Sequence, residues 1–245
     1  MNANSPGTFI TELKDIIRSA GKIILQVKGG GADVETKSDG SPVTEADMAS
    51  HRTIRDRLEA LSPDYPIISE EGDLETARRQ AQGRYWLVDP LDGTKEFVKG
   101  LPEYTVNIAL VEDGEPMAGL ILIPESGVLY HAVRHKGAWK SEGRGESAHR
   151  IEAGCHENEL TAVVSRSHSD EETERLLDQL GVEETRRRGS SLKICSVAEG
   201  SADVYVRPAP TYLWDTAAGT AILREAGGVT AGLPSPAYGV DKSLK

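Results

Sequence analysis

The sequence predicts an α+β first half built on an antiparallel meander, followed by a more α/β second half. Three observations carry that expectation. Residues 105–111, 119–123 and 128–133 read as successive strands with turn signals at Asp113-Gly114 and Ser126-Gly127, the pattern of a meander. From Thr161 the reading alternates: strand over 162–165, helix over 170–180, strand near Thr185, helix over 191–199, strand over 204–206 and helix over 214–226. The basic and polar stretch 140–150 is the expected seam between one subdomain over residues 1–150 and another over residues 151–245. With 245 residues, 38% of them hydrophobic, the chain is long enough for one large core or two that share an interface.

Ahead of the meander, Ile10, Leu13, Ile16, Ile17, Ala20, Ile24 and Val27 keep helical spacing until Gly29, Gly30 and Gly31, where a left-handed C-terminal cap is expected. A phosphate-gripping loop is the other reading of that triplet. No strand precedes it and no Lys-Ser/Thr follows, so the cap is preferred. Glu12, Lys14, Asp15, Arg18 and Lys22 interrupt the apolar run and exclude a signal peptide or membrane span there. Thr44 and Asp47 form a capping-box pattern opening a second helix, with Ile54, Leu58 and Leu61 on one face. Residues 66–69 and 85–88 are short apolar runs ending in acids, as expected of buried strands whose carboxyl ends carry chemistry.

Lys and Arg total 28 against 39 Asp and Glu, for a net charge of -11, which speaks against a nucleic-acid polymer or anionic lipid as partner. Cys155 and Cys195, the two cysteines, form no CxxC pair; neither a disulfide framework nor a zinc knuckle fits, and a reducing cytoplasm is the expected setting. A soluble protein is expected, with peripheral attachment to a membrane left open.

The richest segment is WLVDPLDGTKEF, residues 86–97. An apolar strand runs into Asp89, Pro90 and Leu91 are expected to break it, and Asp92, Gly93 and Thr94 stand where a helix could begin. Taken alone, the segment reads equally well as a turn with Asp89 as a cap. Two further stretches change that balance: Ser69-Glu70-Glu71-Gly72 closes another apolar strand, and Trp214-Asp215-Thr216 opens a helix with a carboxylate in its first turn. Four converging carboxylates, Glu70, Asp89, Asp92 and Asp215, would repel one another by about 4 kcal/mol per pair at 4 Å and an effective dielectric of 20. Such a cluster requires cations, and oxygen ligands without His or Cys select hard ions such as Mg²⁺ or Mn²⁺.

DPLDGTKEF, together with SPVTEAD (Ser41 to Asp47), SEEG and WDTAAG (Trp214 to Gly219), resembles the metal-dependent, lithium-sensitive phosphatase family that contains inositol monophosphatase. The motifs extend from Ser41 to Gly228, over most of the chain. The resemblance implies a layered αβαβα sandwich of the sugar-phosphatase type. It implies that Glu70, Asp89 and the Leu91 carbonyl hold one Mg²⁺, that Asp89, Asp92 and Asp215 hold a second, and that a third, weaker ion also uses Glu70; Mn²⁺ is a possible substitute. It further implies that the Gly93 and Thr94 amides grip phosphate, that Thr94 pairs with Asp47, and that Thr94 and Glu70 orient a metal-activated water for in-line attack.

Lys95-Glu96 after Gly93-Thr94, GSSLKICSVAEG (Gly189 to Gly200) and SRSH (Ser165 to His168) resemble the bisphosphate nucleotidase branch of that family. The implied reaction is hydrolysis of the 3′-phosphate of adenosine 3′,5′-bisphosphate, with Ser190, Lys193 and Arg207 holding the second phosphate and His168 near the base. A solvated helix residue, a strand-edge charge and a surface-loop residue are the competing readings of Lys193, Arg207 and His168, and Arg186 to Arg188 read as a solvated strand end. Inositol monophosphatase and fructose-1,6-bisphosphatase activities, and a catalytically silent nucleotide or metal sensor, are the alternatives. The partner is a small phosphate ester and the chain a monomer or homodimer. One departure stands out: where the family continues into a final strand, this sequence stops after Asp241 to Lys245, which leaves the edge of the last sheet in question.

Overall fold

The computed structural model describes residues 6–30, 34–36, 42–73, 83–143, 147–154, 159–166 and 171–231. Gly31, Ser41, Cys155, His168, Asp170 and the stretch 241–245 named above lie outside the described residues. The first helix, α1 (Pro6–Gly30), is followed by a two-stranded antiparallel ribbon, β1 (Val34–Thr36) with β2 (Pro42–Thr44), and by α2 (Glu45–Leu61). Thr44 caps α2 as expected: its hydroxyl accepts from Ala46 N at 3.2 Å, and Asp47 Oδ2 accepts from Thr44 N at 2.8 Å. No described helix is long and apolar enough to cross a membrane.

A seven-stranded sheet runs in the order β3 (Ile67–Ser69), β4 (Arg84–Asp92), β5 (Thr105–Glu112), β6 (Glu115–Leu122), β7 (Leu129–Val133), β8 (Ala138–Ser141) and β9 (Ala148–Ile151). Within this sheet the β3–β4 pair is parallel and the rest antiparallel: β5, β6 and β7 are the expected meander, and β4 on one side and β8 and β9 on the other extend it beyond the expectation. Asp113 (φ 52°) and Gly114 (φ 79°) both adopt the left-handed region, as the Asp-Gly hairpin requires. The short helix α3 (Thr94–Val98) joins β4 to β5. Stretch 140–150 contributes to β8 and β9 at the sheet's edge, and the chain leaves the sheet after Ile151.

The second half builds a three-stranded parallel sheet in the order β11 (Val182–Arg188), β10 (Leu160–Ser165), β12 (Val204–Tyr205), with α4 (Glu171–Leu180), α5 (Leu192–Ala198) and α6 (Leu213–Glu225). Alternation along β4 explains the layering. Trp86 and Val88 face α1 and α2, where Leu13, Ile17, Ile24, Ile54 and Leu58 are fully buried. Tyr85 and Leu87 face the other way, toward α5, α6 and Val163 of the smaller sheet. Ala162, Val164 and Leu177 then bury α4 against the smaller sheet's outer face. The order is helix, sheet, helix, sheet, helix: the αβαβα sandwich the resemblance implied.

One expectation is corrected. Pro90 and Leu91 do not break β4, which continues to Asp92. The ladder shifts instead: Asp89 opposes Asn107, and Asp92, three residues on, opposes Thr105, only two residues back. Pro90, which has no N–H to give a ladder, is tolerated at this bulge. In a regular strand, residues three apart face opposite sides; the extra residue restores the parity. Asp89 and Asp92 thereby come to one side.

The approach of α6 to this sheet depends on absent side chains. A Cβ on Gly119 of β6 would stand 2.3 Å from the Ala218 carbonyl oxygen, a backbone atom with nowhere to go. Gly119→Ala is therefore expected to destabilise the chain by about 1–3 kcal/mol through overpacking and to weaken catalysis by pushing α6, with Asp215, off the sheet. Thermal unfolding together with steady-state kinetics checks both effects.

Candidate active site

Each acidic residue reaches the site by a different local device. Glu70 follows β3, and its amide donates to Val88 O at 3.1 Å, which keeps it beside the end of β4. His51 Nδ1 lies 2.9 Å from Ser69 Oγ, and Ser50 Oγ donates to Pro90 O at 2.8 Å, so α2 braces both strand ends. Asp89 is 1% exposed, and its Oδ1 accepts from Leu91 N at 3.1 Å. Asp92 Oδ2 accepts from Ser191 Oγ at 2.7 Å, Asn107 Nδ2 at 3.3 Å and Thr105 Oγ1 at 3.4 Å. Asp215 sits in the first turn of α6, where Thr211 Oγ1 donates to its Oδ2 at 2.5 Å and Tyr212 N at 3.1 Å. Thr94 Oγ1 lies 3.2 Å from both Asp47 Oδ1 and Leu91 O, the two acceptors for its one proton.

The acids act on one another. Burial pushes Asp89 well above the usual carboxylate range, with Glu70, Asp92, Asp215 and Asp47 adding repulsion in that order. Burial and then Asp92 raise Asp215 to about 7, against the hydrogen bonds from Thr211 and Tyr212. Among the described residues, no three His, Cys, Asp or Glu side chains close around one point as a finished metal cage; the carboxylates instead accept from the hydroxyl and amide donors just named. The donor set nonetheless fits a hard divalent cation. It offers only oxygen, from Glu70, Asp89, Asp92, Asp215 and the Leu91 carbonyl, and among the described residues no Arg or Lys faces Asp89 closely enough to neutralise it.

Glu70, Asp92, Gly93, Thr94, Ser190, Lys193, Arg207 and Asp215 all line one cleft of about 240 Å³. Asp89, Asp47 and Leu91 lie beneath it. Lys193 is 7% exposed, so it is not a solvated helix residue. Its ammonium donates to Ser190 O at 2.5 Å and stands 5.5 Å from the Tyr205 ring. Burial lowers its pKa; Asp92 opposes the shift and Arg207 reinforces it. Ser190 adopts φ 41°, uncommon for a residue with a Cβ, and its buried Oγ has no hydrogen-bond partner among the described residues. Arg207 is exposed at the cleft's rim. Arg186 is the solvated edge residue expected, paired with Glu184, whereas Arg188 reaches the cleft. Cys195 is buried in the core.

The sequence reading assigned no role to Asn107, Thr105 or Ser191, which grip Asp92, nor to Tyr205, Arg166 or Glu103. Ser191 had one available signal: it lies inside the quoted GSSLK stretch. Asn107 had a fainter one, a polar residue at an alternating position of an otherwise apolar strand.

The model of the inositol monophosphatase family matches residues 7–235. The chain is 46% identical over 221 residues to the 3′(2′),5′-bisphosphate nucleotidase CysQ of Escherichia coli O157:H7, covering 89% of this chain and 88% of that protein. Among solved structures, CysQ from Bacteroides thetaiotaomicron shares 40% identity at a TM-score of 0.75, over 89% of this chain and 86% of that one. The Thermotoga maritima IMPase shares 30% identity at the same TM-score, over 89% and 83%. The oxygen-lined cleft, the five-layer fold and these matches lead to one conclusion: the chain belongs to the inositol monophosphatase family.

Proposed function

We propose that the protein is a Mg²⁺-dependent phosphomonoesterase that hydrolyses the 3′-phosphate of adenosine 3′,5′-bisphosphate to give AMP and phosphate. The observation that carries the reading is that one cleft joins an acidic end, Glu70, Asp92 and Asp215 above buried Asp89, to a wall bearing Ser190, Lys193 and Arg207. The acidic end suits metal ions and the phosphate being cleaved. Lys193, Arg207 and the unpartnered Ser190 hydroxyl suit a second phosphate held away from them. The 46% identity to a protein named as a 3′(2′),5′-bisphosphate nucleotidase supports the same assignment.

In this reading Glu70, Asp89 and Leu91 O would hold one Mg²⁺, Asp89, Asp92 and Asp215 a second, and Glu70 also a weaker third, with Mn²⁺ as a substitute. Bound there, the ions supply charge neutralisation at the phosphoryl oxygens and a lower pKa for the attacking water. The protein's own groups do the rest. Thr94 commits its hydroxyl proton to Asp47 Oδ1, 3.2 Å away, which leaves an Oγ1 lone pair to accept from the water. Glu70 orients the same water together with Thr94. The Gly93 and Thr94 amides bind phosphate oxygens. The division into subdomains over residues 1–150 and 151–245 has a functional sense here: the first supplies Glu70, Asp89 and Asp92, the second Asp215 and the nucleotide wall. A reducing cytoplasm is the setting proposed.

Asp89→Asn is expected to lower kcat by at least about a hundredfold, with Tm in EDTA no lower than that of the unaltered chain, since a buried repulsive charge is removed. Circular dichroism melts beside steady-state assays check this, and retained turnover would defeat the metal scheme. Lys193→Ala is expected to raise KM for adenosine 3′,5′-bisphosphate about tenfold or more, with little change for p-nitrophenyl phosphate. A panel at fixed Mg²⁺ tests the substrate itself: faster turnover of inositol 1-phosphate or fructose 1,6-bisphosphate than of the nucleotide rejects the assignment, and no turnover of any ester points to a sensor.

A further inference from the structure

At the mouth of the cleft a single carboxylate ties together segments from both halves of the chain. Glu103 lies in the connection between α3 and β5, with a side chain 12% exposed. Its Oε2 accepts from Arg166 Nε at 2.7 Å and from Gly189 N at 2.8 Å, and its Oε1 accepts from Arg166 Nη2 at 2.8 Å and Arg188 Nη1 at 3.4 Å. Arg166 follows β10 and Arg188 ends β11, and Arg166 N donates to Arg188 O at 3.1 Å. The backbone of Glu103 takes part as well: a Cβ on Gly189 would stand 2.7 Å from the Glu103 carbonyl oxygen, and one on Gly93 3.2 Å. Two glycines from opposite halves therefore rest on one peptide unit.

We propose that Glu103 and Arg166 form a clamp that positions the cleft wall Arg188-Gly189-Ser190 against the portion of the ligand remote from the acids. The pair is a positioning device for substrate recognition and does not touch the reacting atoms; the ligand's identity rests on the nucleotidase reading above. An exposed ion pair usually contributes little, but this one differs in three ways. The contact is bidentate, which fixes direction as well as distance. The carboxylate is mostly buried, and although burial works to raise its pKa, the bonds from Arg166 and Gly189 prevail and keep it below the usual range. Its second partner is the amide of Gly189, adjacent to Ser190, whose left-handed backbone places the carbonyl that receives Lys193 Nζ. A shift of Gly189 thus passes along the chain to Lys193. Asp92 is better insulated, because Asn107 and Thr105 hold it in addition to Ser191.

The test compares two substrates across four variants: Glu103→Gln, Arg166→Gln, Arg166→Lys and the double Glu103→Gln/Arg166→Gln. Gln keeps the side-chain volume and one acceptor, and Lys keeps the charge without the fork. Each single variant is expected to raise KM for adenosine 3′,5′-bisphosphate about tenfold, with kcat within about twofold. The constants for p-nitrophenyl phosphate, which has no second phosphate, should stay put. The double variant should be no worse than either Gln single variant, because the clamp acts as one unit. Equal losses on both substrates, an unchanged nucleotide KM, or additive effects in the double variant would each overturn the clamp. Arg166→Lys carries the test should a Gln variant fail to fold, as judged by its melting curve. The wild type is assayed first. If it prefers another phosphate ester, the nucleotidase reading falls, and the clamp is judged by the same comparison between that ester and p-nitrophenyl phosphate.

Discussion

Negative charge gathered in a buried place is the constraint around which the molecule is arranged. Asp89 is almost without solvent, and four other carboxylates act on it. At separations near 4 Å such pairs oppose folding by several kcal/mol even at an effective dielectric of 20. The surrounding structure offsets some of this with directed donors: the Leu91 amide on Asp89, three side chains on Asp92, a hydroxyl and an amide on Asp215. None of these donors carries a full positive charge. The acids stay poised for cations because these donors offset only part of their charge.

Holding that arrangement takes rigid neighbours on every side. Strands β3 and β4 run parallel and deliver Glu70 and Asp89 to the same end. Helix α2 braces that end through Ser50 and His51. Helix α6 lies so close to β6 that Gly119 has no room for a Cβ against the Ala218 backbone, and this closeness sets where Asp215 stands. Polar recognition is built on the opposite wall, from a short helix and two strand ends of the second half. The cleft is thus a seam between a stiff acidic floor and a wall whose register depends on contacts crossing from one half to the other.

Much of this was legible in the sequence, and the reason is locality. The capping box at Thr44 and Asp47, the Asp-Gly hairpin and the amphipathic pattern of α1 each reside within a few neighbouring residues. The acids were legible because Glu70 and Asp89 each close a recognisable apolar run, and Asp92 and Asp215 each stand at a helix start. What escaped was non-local. Pro90 looks like a terminator until pairing with β5 absorbs it in a bulge. Ser191 meets Asn107 across 84 residues of chain, and Gly189 meets Glu103 across 86, distances over which side-chain pattern says nothing. Lys193 was ambiguous for a related reason: a seven-residue helix has too few turns to reveal which face is inward, and only packing shows that the lysine is buried.

The bulge at the end of β4 makes the site depend on counting as much as on chemistry. Because Asp89 and Asp92 share a side only through one supernumerary residue, removing a residue between them, or adding another, would turn Asp92 to the wrong face of the sheet while leaving every acidic side chain in place. Length is therefore under tighter control than composition in this stretch. A change of identity at Pro90 perturbs a bulge, whereas a change in residue number there dismantles the site.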